Sequence, residues 1–289
     1  MQISDWKENH ITIKLLNEEF SYIDTLSQKP VILVIHGYGS SSYDFHKVLG
    51  DLKESYRVLM PDLIGFGFSS KPKNYYFSIV EQAQILIKLI DTLKIQEFSV
   101  ICQGFGASVL CEILSLIQIK SVEIEIHKIW FLNLSLSIEL SMDIEKQRAI
   151  ENFITTTFLK ISSTFGIYKK YTKDSFFNPD AITEEELKTG WELLNYNNGL
   201  KTLDFVKYWI IEINHCTTRW LKVLSETTST IDIIWGLNDI LKDYETPERI
   251  QFFLKTTQQM HLIDKCGYFI ALEKPKEFMA FILNDELKK

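Results

Sequence analysis

The chain has 289 residues, 46% of them hydrophobic and 24% charged, with six prolines and twelve glycines, a composition that excludes disordered, collagen-like and low-complexity polypeptides. At this length a single core buries about three quarters of the surface that the unfolded chain exposes, and no uncharged apolar run reaches the roughly 18 residues that suggest a spanning helix. A formal net charge of −7 argues against an extended phosphate-binding face, so no nucleic-acid partner is expected.

Two short strands, near His10 to Leu16 and Phe20 to Asp24, open the chain and are expected to pair antiparallel. Val31 to Ile35 is a continuous apolar run of the kind buried on both faces of a parallel sheet. His36-Gly37-Tyr38-Gly39-Ser40 follows at once, a turn able to aim a backbone N–H at a developing oxyanion. Ser40 to Ser42 then offers a cap for a helix over Tyr43 to Leu52. A strand at Tyr56 to Met60 runs into Pro61 to Pro72, a glycine-rich loop whose backbone Asp62 and Ser69 can tie. Ser78 to Leu93 reads as a helix.

Ser99 to Ala107 is a β-rich stretch that breaks at glycines and passes into a helical pattern over Ser108 to Ile119. That is the outline of a nucleophile elbow, the sharp strand-to-helix turn that lifts a Ser, Asp or Cys into a pocket. The residue at the raised position is Gly104, which has no atom to attack with. A sixth strand, Lys128 to Leu132, ends at Asn133. The pattern then turns helical from about 134 to 224, with a helix start at Ile182-Thr183-Glu184. Strands at Ile231 to Trp235 and Met260 to Asp264 and a helix after Pro275 complete the chain.

The turn His36-Gly37-Tyr38 with Ser41-Ser42-Tyr43-Asp44, the loop Leu63 to Ser69 with Lys71-Pro72, and Trp235-Gly236-Leu237-Asn238-Asp239 together resemble the α/β-hydrolase superfamily. The likeness is to the branch of haloalkane dehalogenases, epoxide hydrolases and mesoderm-specific transcript proteins, the last nearest in pattern. It implies an α/β fold with a mostly parallel eight-stranded sheet flanked by helices. The implied division is a core over 1–133, a helical cap over 134–224 and the rest of the core over 225–289. Carried over residue by residue, it puts Gly104 at the nucleophile, Asp239 at the acid and Tyr268 where a His is expected. Tyr38 and Phe105 take the positions of the former oxyanion hole and halide ligands, and His36, Gln103 and Tyr196 are candidates to line the pocket.

Triad chemistry needs a nucleophile whose proton passes to an imidazole held by a carboxylate. Two of those three parts are absent, and a phenol, with an ordinary pKa of about 10, is a poor base near neutrality. No relocated triad is visible: His10, His46, His127 and His215 have no partner at a recognisable spacing. The aromatic residues of the cap, among them Phe158, Tyr168, Trp209 and Trp220, are expected to pack it onto the core rather than polarise a substrate.

Cys102, Cys111, Cys216 and Cys266 form no C-x-x-C pair, so neither a metal site nor a disulfide frame is expected, and no cofactor is implied. The first ten residues lack the features of a secretory or transit peptide. An intracellular, cytoplasmic protein is expected, with organelle import lacking a cleaved presequence left open. The leading expectation for function is an inactive hydrolase fold serving as a structural or interaction subunit with unidentified protein partners. A hydrolase with a rearranged site and a small-molecule receptor using the former pocket are the alternatives.

Overall fold

The computed structural model describes residues 1–73, 75–133, 144–239, 254 and 257–284. Eight strands form one sheet: β1 (His10–Leu15), β2 (Glu18–Asp24), β3 (Val31–Ile35), β4 (Arg57–Asp62), β5 (Glu97–Gln103), β6 (Glu125–Leu132), β7 (Thr230–Gly236) and β8 (Thr257–Ile263). Their order is β1-β2-β4-β3-β5-β6-β7-β8. β1 pairs antiparallel with β2, and β2 with β4; every later pair, from β3/β4 to β7/β8, is parallel. The central strands are apolar runs without alternation because helices cover both faces. In β3 and β7 every residue after the first is buried.

On one face lie α3 (Ile79–Thr92), α4 (Phe105–Gln118) and α8 (Val206–Glu226). On the other lie α1 (Ile3–Lys7), α2 (Leu49–Ser55), α9 (Ile270–Glu273) and α10 (Pro275–Asn284), with Trp6, Leu52 and Phe278 in its core. Between β6 and β7 come α5 (Ile144–Ile161), α6 (Phe165–Asp174), α7 (Glu184–Asn195), a kinked 3-10 segment (Tyr196–Phe205) and α8. Capping follows the sequence: the Ser78 hydroxyl accepts from Glu81 N at the head of α3. Thr183 and Glu186 form a reciprocal capping box at α7.

One expected helix is broken. Tyr43 to Leu52 divides into a 3-10 turn (Ser42–Phe45) and α2. The amides that would start a regular helix are claimed elsewhere, Ser42 N donating to Asp62 Oδ1 at 2.8 Å and Tyr43 N to Ser41 Oγ at 3.3 Å. Asp62 also accepts from Phe68 N at 2.8 Å, and Ser69 Oγ donates to the Asp62 carbonyl, so these two residues do tie the loop after β4. The elbow helix begins at Phe105, three residues before the expected start.

Candidate functional site at the elbow

β3 and β5 lie side by side, so the turns that leave them converge at one end of the sheet. At the elbow Gly104 has φ 48° and ψ −112°, a left-handed backbone that glycine adopts without the penalty of a Cβ. The turn therefore carries a positive φ at a residue with no side chain. The Tyr268 hydroxyl faces this position: a Cβ built on Gly104 would come too close to that oxygen, and one built on Gly37 would come within 2.7 Å of it. Tyr268 is held there through its backbone, its N–H donating to Ser175 O at 2.9 Å and its carbonyl accepting from Gln103 Nε2 at 2.6 Å.

Asp239 is buried just beyond β7, and its Oδ2 accepts from Asn133 Nδ2 at 2.6 Å. Asn133 Oδ1 in turn accepts from Gly236 N at 3.0 Å, so the Asn133 amide fastens the ends of β6 and β7 together. Tyr38 and Phe105 do meet, with ring centroids 5.4 Å apart, and both press on Trp209 of α8. The Tyr38 hydroxyl donates to Thr202 O at 2.7 Å, and burial pushes its phenol well above the ordinary range. These rings pack the inserted helices onto the core.

A cavity of about 140 Å³ lies between the elbow and the inserted helices. Gly104, Tyr38 and Tyr268 form its core side, and Phe158, Tyr168 and Trp209 its far side. His36, Gln103 and Tyr196, expected to line the pocket, do not contribute to its walls. His36 is turned under the loop after β4, where Nε2 accepts from Leu63 N at 3.0 Å, and burial keeps the ring neutral. Gln103 is occupied by the Tyr268 carbonyl. Tyr196 faces away, against Phe68 and beneath Lys7 and Lys71.

Two acids and a histidine in the wall were not placed there from sequence: Asp44, Glu186 and His46. His46 Nε2 lies 3.0 Å from Glu186 Oε1, and its ring stacks on Tyr43 at 4.2 Å. Burial alone would raise the Glu186 pKa, but His46, the Thr183 N–H and Lys47 overcome it and hold the carboxyl at about 2. Asp44 is the opposite case, with burial driving it up to about 7 against a hydrogen bond from Ser40. The pairing of His46 with Glu186 spans 140 positions and leaves no spacing to read. Asp44 does leave one signal, an acid two residues after the serines that follow the oxyanion turn.

Other nucleophiles offer little. The Cys102 and Cys111 thiols are buried, and burial pushes both well above the ordinary thiol range. Among the described residues no group of His, Cys, Asp or Glu is arranged to hold a metal, and no helix is long and apolar enough to cross a membrane.

A family model described as the alpha/beta hydrolase fold matches residues 30–275. The chain is similar to the mouse mesoderm-specific transcript protein, 25% identical over 265 residues that cover 89% of this chain and 78% of the relative. It is also similar to LipZ of Mycobacterium tuberculosis, named as a hydrolase, at 26% identity with 88% of each chain covered. Among solved structures the Cif epoxide hydrolase from Acinetobacter nosocomialis superposes with a TM-score of 0.79 at 15% identity, covering 95% of this chain and 88% of that one.

Proposed function

Because the chain belongs to the α/β hydrolase fold family while a glycine stands at its elbow, we propose that it performs no triad hydrolysis and binds a small molecule in the cavity between core and inserted helices. The observation that carries this reading is the Tyr268 hydroxyl in the space of the missing nucleophile side chain. A phenol with an ordinary pKa of about 10 is a weak nucleophile near neutrality unless an adjacent base takes its proton. The cavity, in contrast, is not filled by the bulky residues around the elbow, and it combines apolar walls with a few polar groups, as ligand sites do.

The test is turnover and labelling. The purified chain is incubated with activated esters, epoxides and haloalkanes, and separately with a fluorophosphonate probe. Turnover no higher than that of a heat-denatured control, and no covalent adduct, are expected; a product burst equal to the protein present defeats the reading.

The interaction-subunit role has one specific observation in its favour. Tyr76 and Ile211 are exposed side chains, and Tyr76 packs on Tyr208 of α8 at 5.1 Å. Charged substitutions at Tyr76 and Ile211 that release the chain from a native complex, with its melt unchanged, would favour that role.

A further inference from the structure

The cavity holds one acid that the fold leaves unspent. Asp44 sits in the 3-10 turn, its backbone N–H donating to Ser41 O at 3.1 Å and its carboxyl accepting from Ser40. Its second oxygen, Oδ2, is buried without a hydrogen-bond partner. The other acid in the wall, Glu186, is already taken by His46, Lys47 and the Thr183 N–H. Among the described lining residues there is no Lys or Arg.

This arrangement sorts ligands by charge. A carboxylate or phosphate entering the cavity meets two acids and an imidazole, His46, that is already committed to Glu186, and loses its hydration without a new partner. A plain hydrocarbon fits the walls but leaves the Asp44 oxygen with no donor. An ammonium group supplies the missing donor and a compensating charge, and the rings of Tyr38, Tyr43, Tyr168, Tyr171 and Trp209 line the walls that would take its hydrocarbon part. The volume, about 140 Å³, is close to the roughly 150 Å³ of an engineered apolar cavity that holds benzene. That sets the ligand at about one ring with a short arm.

We propose that the cavity binds a small organic amine, its N–H donating to Oδ2 of Asp44 and its hydrocarbon part lying among the surrounding rings. The proposal rests on the reading of the cavity as a binding site in a chain without triad chemistry. Binding brings a positive charge to a carboxyl that burial holds at about 7, so the bound state favours its ionised form.

The experiment is calorimetric titration of the full chain with four probes of one shape: benzylamine, benzyl alcohol, benzoate and toluene. Benzylamine is expected to bind at least tenfold more tightly than the other three. Asp44→Asn should remove the advantage of the amine over the alcohol while leaving toluene binding unchanged. Equal binding of benzoate and benzylamine, no binding of any probe at millimolar concentration, or an amine preference that survives Asp44→Asn overturns the proposal. The first two results need only the unmodified protein, so they stand even where the variant fails to fold. Failure of amine binding without turnover removes this inference alone, whereas labelling by the fluorophosphonate removes the reading beneath it.

Discussion

Placing a hydroxyl at the elbow is expected to destabilise the protein, and the cost has two separable parts. Gly104→Ser places a Cβ on a backbone with φ 48°, which costs an L-residue about 1–2 kcal/mol. The same Cβ lands on the Tyr268 hydroxyl, and shifting a packed ring to admit an extra atom costs about 1–3 kcal/mol. The single substitution should therefore lower stability by about 2–5 kcal/mol. In a Tyr268→Phe background the obstructing oxygen is gone and only the backbone part remains, about 1–2 kcal/mol. Urea unfolding of the parent, both single variants and the double variant gives the coupling, expected at about 1–3 kcal/mol in favour of the double variant, with similar m-values throughout. An equal cost for Gly104→Ser in both backgrounds would show that the phenol oxygen does not occupy the nucleophile's space, and the reasoning would fail.

Asp44 titrates at about 7 in the fold against 3.8 ordinarily, so its penalty is absent below about pH 4, grows as pH rises and is complete above 7, with a ceiling of about 4 kcal/mol that water in the cavity reduces. Asp44→Asn should raise the melting temperature at pH 8 and leave it unchanged at pH 4; an unchanged melt at pH 8 contradicts the burial argument. Glu186 has the opposite sign: held at about 2 against 4.5, it stabilises above pH 4.5 and loses that contribution as pH falls toward 2. Glu186→Gln should cost about 1–3 kcal/mol at pH 7 and almost nothing near pH 2, which denaturant titrations at the two pH values would check. Glu112 of α4 accepts from both Arg219 and the Trp220 indole, so Glu112→Ala should cost about 2–4 kcal/mol and Glu112→Gln, which keeps an acceptor, distinctly less. Equal losses in the two variants would mean that the acceptor is not what matters.

The sheet could be read from the sequence because parallel strands covered on both faces announce themselves as unbroken apolar runs, as at Val31 to Ile35 and Ile231 to Trp235. The elbow was readable for a local reason, since a β-rich run that breaks at glycines and passes at once into a helical pattern marks a sharp turn, and Gly104 does carry a positive φ there. Side-chain direction just beyond a strand was not. The alternation of a strand does not continue through a turn, and so His36, placed in the pocket from sequence, instead accepts a hydrogen bond from Leu63 N on the other side. Tyr196 misled in the same way, because the kink at Asn197 and Asn198, both with positive φ, turns the ring outward. The acid and imidazole of the wall come from segments far apart in sequence, and only the packing of α7 against the 3-10 turn brings His46 to Glu186. For Asp44 the obstacle was the missing helix: read as one position in a regular turn, it looks like a surface acid.

Polar ties hold several of the inserted segments to the core around the site, and this bears on how anything enters. α8 is pinned to α4 through Glu112, and α7 to the 3-10 turn through His46 and Lys47. The segment after α6 is pinned at Ser175 by the Tyr268 N–H and at Phe177 and Asn178 by Glu273. Phe158 of α5 meets the core by ring contact, lying 5.0 Å from Tyr38. Ring contacts slide at little cost, whereas buried ionic hydrogen bonds must break outright. Opening the cavity by displacing α7, α8 or the segment after α6 therefore requires those ties to break.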